Sequence, residues 1–392
     1  MRRSSQHQWF LQQEKAVADS QPINPIRAIP SDTLASSETT ALLEALLAMQ
    51  DEPSFLFGHQ YDNYIGQYFK DKEGTLGLSD VQNGTGSYPA VFGYDFLDIL
   101  ESGLNFTEHV KFAYKQGGII TFDWKAYNPE MMGSSGANDV SGTPCAKILK
   151  GSGKPYDRYT GWLDTIAQHI ETYKVDGVAI PIIFRLLHEN TGGWYWWGTG
   201  TSDSVDTCPD ADYKALFNFT RSYLHNDHGL HNILWLYAPA KPSEYYASSF
   251  HERYPGHDQV DIIGMDRYTD ASDYKDTILD DCRVVANYSV THGKVAVIAE
   301  TGISDGMQDT SSDYKDWYYT DFGKNFMTDS QDLCTKISYA VAWENVHPDY
   351  WWVPLPNDAT WDGMKKLYES DYAIFADDST WTSYAKSYGY SQ

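Results

Sequence analysis

Long apolar runs are missing from this 392-residue chain, and no stretch approaches the 18 or so residues that a membrane-crossing helix requires. Basic residues are scarce. Only 29 Lys and Arg stand against 54 Asp and Glu, and a formal charge of −25 argues against nucleic acid and against anionic membrane surfaces as partners. Cysteine is sparse too. Cys145, Cys208, Cys282 and Cys334 form no CxxC pair and have no His at metal-ligand spacing, so a zinc site is not expected. No Gly-rich phosphate loop follows an early strand, since Gly58-His59-Gln60 lacks the GxGxxG spacing, and no cofactor is implied. His59 stands without the His-x-His partner that a metal-dependent barrel hydrolase would place at its first strand. After Met1-Arg2-Arg3 no apolar segment follows, so an intact secretory leader is not expected in this sequence. The expectation is a secreted protein that has lost its leader, with a cytosolic protein as the alternative.

What is abundant is aromatic surface: 15% of residues, with 30 Tyr and 13 Trp. Trp194, Trp196 and Trp197 crowd a Gly-rich loop, and Trp351-Trp352 lie in another segment that reads as loop, where exposed indoles need a reason to be. Four Asn-x-Ser/Thr triplets, at Asn83, Asn105, Asn218 and Asn287, add a little to the extracellular reading. An even cysteine count in such a protein allows two disulfides. Cys145 and Cys208 lie in long loops flanking one strand and are paired first; Cys282 and Cys334 either form the second bond or remain buried thiols.

Eight short apolar runs alternate with amphipathic stretches, the pattern of repeated βα units. They are 54–59, 91–95, 118–124, 180–188, 233–238, 260–266, 295–300 and 337–344, with helices expected over 157–173 and 212–224 among the connections. All but the fifth run, which closes on Ala238-Pro239, end in polar residues: His59-Gln60, Asp95, Asp123-Trp124, His188-Glu189, Asp266-Arg267-Tyr268, Glu300-Thr301 and Trp343-Glu344. A single-domain (β/α)8 TIM barrel, of class α/β, gathers its strand ends at one face, and this length suits one with enlarged loops. The division expected is an N-terminal arm, 1–35, and a barrel, 36–392, in a monomer. The long connections 127–154 and 192–210 would wall a groove at the strand-end face.

Within that face, Glu189 and Glu300 stand out. They are 111 residues apart (300 minus 189), each at the end of an apolar strand-like run. Two carboxyls beside flat aromatic rings are what cleavage of a sugar polymer needs, one to donate a proton to the leaving oxygen and one to meet the anomeric carbon.

The segment Arg185-Leu186-Leu187-His188-Glu189-Asn190-Thr191-Gly192-Gly193-Trp194-Tyr195-Trp196-Trp197-Gly198 resembles the signature of glycoside hydrolase family 26. Further pieces fall in the family's order: Phe57-Gly58-His59-Gln60, Trp124 with Asn128-Pro129, Asp266-Arg267-Tyr268 and Ala299-Glu300-Thr301-Gly302. The resemblance spans the whole barrel. It implies a retaining mechanism with Glu189 as acid/base and Glu300 as nucleophile, about 5–5.5 Å apart, and a β-1,4-mannan or its oligosaccharides as substrate. It also implies that Tyr268 donates to Glu300 and that His188 touches sugar or orients a carboxylate. Trp194 and Trp343 would be sugar platforms, and Asp266, Trp124 and His59 further contacts. Arg185 is expected either to lend charge beneath Glu300 or to form an ion pair within the barrel. Trp196 and Trp197 are expected to pack. Lys125 departs from the pattern, since many relatives carry a histidine after the tryptophan. Endo action is expected; mixed-linkage glucan or β-1,3-xylan, and exo release of mannobiose, are the alternatives. A non-catalytic sugar-binding barrel would keep the tryptophans but would not require both glutamates.

Overall fold

The computed structural model describes residues 29–199, 206–244, 247–387 and 389. Eight parallel strands close into a barrel: β1 (Phe55–Gln60), β2 (Val91–Asp95), β3 (Ile119–Asp123), β4 (Ile182–Arg185), β5 (Ile233–Tyr237), β6 in two pieces (Ile262–Ile263 and Asp266–Thr269), β7 (Val295–Ile303) and β8 (Ile337–Ala342). Each pairs with the next, and β8 returns to β1 through Leu56↔Tyr339 and Phe57↔Ala340. The expected (β/α)8 barrel is therefore the fold. The strands are continuous apolar runs because side chains on both of their faces are buried, one set inside the barrel and one under the helices. Every residue of β1 to β5, β7 and β8 is buried.

Amphipathic helices supply the outer layer. Lys154–Ile170 turns Tyr159, Leu163, Ile166 and Ile170 inward, and Asp210–Ser222 does the same with Tyr213, Leu216 and Phe217. Both begin two or three residues earlier than periodicity alone places them. Several strand boundaries also differ by one to three residues from the sequence expectation, two of them for local reasons. β4 stops at Arg185 rather than His188, because Leu187 and Glu189 take left-handed φ values of 50° and 52° that break the ladder. The chain is caught again by the Glu189 amide, which donates to the Ala238 carbonyl at 2.7 Å. β6 is interrupted at Gly264-Met265. A Cβ on Gly264 would lie 2.8 Å from Val297 Cγ2, so the close approach of β7 admits only glycine there.

Cys145 is bonded to Cys208 and Cys282 to Cys334, with Cα separations of 5.2 and 5.5 Å. The first bond joins the two long connections that follow β3 and β4. A Cys145→Ser/Cys208→Ser variant is expected to lose roughly 2–4 kcal/mol of unfolding free energy, measured by denaturant titration; an unchanged midpoint would show that the loops are held by other contacts alone.

Residues 1–28 of the expected arm lie outside the described residues. Where description begins, the Ser31 amide donates to Asp261 Oδ1 at 2.5 Å, and Asp32 pairs with His231 at 2.7 Å, which ties the segment to residues preceding β6 and β5. Among the described residues no helix is long and apolar enough to cross a membrane.

Candidate active site

Strand register brings charged side chains to one level of the barrel. Asp95 of β2 pairs with Asp123 of β3, Asp123 with Arg185 of β4, and Glu300 of β7 with Asp266 of β6. Arg185, 3% exposed, is the buried cation among them. Its Nη1 donates to Asp266 Oδ2 at 2.5 Å, its Nη2 donates to Glu300 Oε2, and Asp123 Oδ1 lies 3.7 Å away. A buried guanidinium needs such partners to offset its desolvation, and its fork fixes the plane of the Glu300 carboxylate. Arg185 thus forms an ion pair within the barrel that joins Asp266 to Glu300.

Tyr268 donates to the other oxygen of Glu300, Oε1, at 2.9 Å. Burial, and then the nearby Glu300 charge, push the phenol well above its ordinary range, so it stays protonated and able to donate. Trp352 backs this tyrosine edge-on, with ring centroids 6.3 Å apart, and anchors its own indole N–H on the Ile303 carbonyl at 2.9 Å. Gly302 makes room for it: a Cβ there would stand 2.3 Å from the indole. Trp351 and Trp352, each 3% exposed, therefore pack the loop on the barrel.

Glu189 sits differently. It is only partly buried, and its Oε2 accepts from the Trp194 indole N–H at 2.5 Å. Desolvation and the neighbouring Glu300 charge raise its pKa to about 7, against the opposing pull of the Trp194 bond, Arg185 and Lys125. The strand-end loop that carries it is braced from several sides. The Trp197 indole donates to the His188 carbonyl at 2.8 Å, the Trp196 indole to the Ala126 carbonyl at 2.8 Å, and Arg253 to the carbonyls of Trp197, at 2.7 Å, and Cys208. Both indoles are wholly buried, in keeping with the packing role expected of them. Asn138 reaches across from the other long connection to the Trp194 carbonyl at 2.9 Å. The left-handed backbone of Leu187 and Glu189 is sustained by this surrounding structure, as strain at a site usually is.

His188 is 1% exposed and lies edge-on to Tyr195 at 5.4 Å. Burial, then Arg185 and Lys125, hold its pKa far below the usual imidazole range, so it is neutral. Tyr195 in turn stacks on Trp197 at 4.5 Å.

Of the residues expected to contact sugar, Trp194 and Trp343 remain partly exposed at the strand-end face. The other three do not. Asp266, 1% exposed, gives its Oδ2 to Arg185. His59 is fully buried and pairs with Asp62 at 2.8 Å. Trp124, 1% exposed, fills the space under the helix Lys154–Ile170, against Tyr159 and Trp162. All three are buried, yet Asp266 Oδ1, His59 Nε2 and the Trp124 indole N–H have no hydrogen-bond partner.

Sequence reasoning missed a further set on the β1 to β3 side. Gln60 donates to Asp123 Oδ1 at 2.9 Å across Gly93, where a Cβ would stand 1.8 Å from the Gln60 amide oxygen. Lys125 reaches back over the Trp343 indole, and Glu344 lies close enough for its charge to act on Lys125. The polar strand ends signalled these residues, but their mutual contacts depend on register. Among the described residues, no group of three or more His, Cys, Asp or Glu is placed to hold a metal ion.

Two carboxyls from opposite sides of a barrel mouth, one desolvated and one clamped by Arg and Tyr, accompany a match of residues 31–330 to glycosyl hydrolase family 26. The chain belongs to this family. Among solved family 26 structures, a modular endo-β-1,4-mannanase from Cellulomonas fimi superposes with a TM-score of 0.79 at 30% identity, covering 90% of this chain and 78% of that one. The catalytic domain of an endo-β-1,4-mannanase from Bacillus sp. JAMB-750 does so with a TM-score of 0.79 at 27% identity, covering 91% and 96%. A mannan endo-1,4-β-mannosidase of Bifidobacterium adolescentis is 29% identical over 296 residues, 70% of this chain but 28% of its own length. One from Bacillus subtilis strain 168 is 26% identical over 212 residues, 52% of this chain and 57% of its own. This family 26 chain thus aligns with well under two thirds of the length of those curated relatives. The family match stops before β8, whereas the structural similarity covers more of the chain than residues 31–330.

Proposed function

We propose that this family 26 chain is a retaining, endo-acting β-1,4-mannanase, cleaving mannan, glucomannan or galactomannan by double displacement. The observation that carries the mechanism is the unequal treatment of the two glutamates. Glu300 is met by a cation and a phenol on its two oxygens, which suits a carboxylate aimed at an anomeric carbon. Glu189, with its pKa raised to about 7 by burial and by Glu300, suits a group that holds a proton at working pH and gives it to the departing oxygen. In the first step Glu300 forms a bond to the anomeric carbon while the glycosidic bond breaks and Glu189 protonates the leaving hydroxyl. In the second, Glu189 takes a proton from water, which displaces Glu300. Trp194 holds the acid by its indole N–H and, with Trp343, offers ring faces for pyranose stacking.

The β-1,4-mannan assignment draws on the names of the relatives above, and the mannan-like form of His188-Glu189-Asn190-Thr191-Gly192 favours it. Two disulfides among the described residues suit a secreted protein. A monomer with an arm over 1–35 and a barrel over 36–392 completes the reading.

The test is a timed product profile on glucomannan, unsubstituted mannan, mixed-linkage glucan and β-1,3-xylan. Manno-oligosaccharides of mixed size released early from the first two, and from those alone, are expected. Activity confined to glucan or xylan would overturn the substrate, and mannobiose as the sole early product would overturn endo action.

The acid's ionisation also sets a pH limb. Because Glu189 must be protonated, kcat/KM is expected to fall as pH rises through about 7. A rate that stays flat for two units above that value would remove Glu189 from the role of acid.

A further inference from the structure

Lys125 follows β3 at the strand-end face of the barrel. Its ammonium stands 4.2 Å from the centre of the Trp343 indole and 4.0 Å from Asp95 Oδ2, and its side chain is 27% exposed. The Lys125 amide also donates to Asp95 Oδ1, at 3.2 Å, so backbone and side chain address the same carboxylate. Around it are Asp95 from β2, Asp98 from the helix Phe96–Ser102, Asp123 from β3, Glu300 from β7 and Glu344 just past β8; His188, Glu189 and Arg185 belong to β4 and the loop that follows it. Carboxyls outnumber cations in this group, so the loss of one cation should be felt by all of them.

We infer that Lys125 is a positioning residue for the reaction: its ammonium holds the Trp343 indole against the groove and supplies the cation that balances the Asp95, Asp123 and Glu344 carboxyls beside Glu189 and Glu300. This rests on the glycosidase reading above. The electrostatics of the group agree with this geometry. Burial opposes a charge on Lys125, yet Asp123, Asp95, Glu300 and Glu344 outweigh that and raise its pKa, so it stays cationic. Glu344 is pushed to about 7, by burial first, and Lys125 is the main group acting in the opposite direction. Asp95 is pushed to about 8 by burial and by Asp123, again with Lys125 opposing.

The experiment compares the parent, Lys125→Met, Lys125→Arg, Trp343→Ala and the Lys125→Met/Trp343→Ala double variant. Rates on a soluble manno-oligosaccharide are measured across pH, and thermal unfolding is followed at about pH 5 and about pH 8. Lys125→Met removes a charge that favours ionised Glu189, so the alkaline limb of kcat/KM should move up by roughly one unit, and Lys125→Arg should restore it. KM should rise about tenfold in Lys125→Met but not further in the Trp343→Ala background, since coupled neighbours are not additive. A pH profile superimposed on the parent's would overturn the charge role. A KM increase undiminished without Trp343 would overturn the positioning role and point to direct sugar contact. If the parent cleaves no manno-oligosaccharide, the mannanase reading fails, and unfolding alone decides on Lys125. Acids whose folded pKa is raised lose stability as pH climbs, and more so without the cation, so Lys125→Met should cost more at the higher pH. An equal cost at both would overturn the inference.

Discussion

Glu300→Ala is expected to lower kcat/KM on mannan by at least about 10⁴-fold, which is about 5.4 kcal/mol of transition-state stabilisation. The loss should be the same on activated aryl glycosides, because no leaving group replaces the missing attacking oxygen. The fold should survive. Arg185 keeps its bond to Asp266 and its proximity to Asp123 when Glu300 is gone, so no isolated buried charge results. Near-parent activity, with an unchanged circular dichroism spectrum, would remove Glu300 from the role of nucleophile.

Glu189→Gln should instead divide substrates. On mannan, whose leaving group is a poor one, loss of the acid is expected to cost about 10²–10⁴-fold. On an aryl glycoside with a good leaving group the first step should be nearly spared, and slow hydrolysis of the glycosyl-enzyme should appear as a burst. Equal losses on both substrates would contradict the assignment. Stability should move in the opposite direction. The pKa of Glu189 is raised to about 7 in the folded protein, chiefly by burial, against about 4.3 for an unperturbed glutamate. A raised acid contributes stability that is complete below its unfolded pKa and is lost as pH rises through its folded one. Glu189→Gln should therefore match the parent near pH 4 and melt at a higher temperature than the parent above about pH 7.

Much of this site can be read from the chain because a parallel barrel translates strand ends into one place. The runs closing on Glu189 and Glu300 mark both carboxyls, and Tyr268 follows the sixth run closely enough to be found with them. Arg185 could be placed near Glu300, though not its fork to Asp266, because that contact depends on the β6–β7 register Glu300↔Asp266. The same limit hides the opposite wall. Asp95, Asp123 and Gln60 are visible as polar terminators, but only the pairing Asp95↔Asp123↔Arg185 sets them side by side. Nor does local sequence say which way a strand-end side chain turns. Trp124 and His59 look alike in this respect to Trp343, yet the first two are sealed by packing and by Asp62, while Trp343 keeps a partly open ring. The break in β4 was hidden for a different reason. Leu187 and Glu189 are not residues that announce a left-handed backbone, and they are held there by tertiary contacts such as the Glu189 amide on Ala238.

The most direct test of a two-carboxylate double displacement is the anomeric configuration of the first product, followed by proton NMR immediately after the enzyme is added to manno-oligosaccharide. The β-anomer should appear first and the α-anomer only later, by mutarotation. Initial release of the α-anomer would mean single displacement by water, with Glu300 acting as base rather than nucleophile.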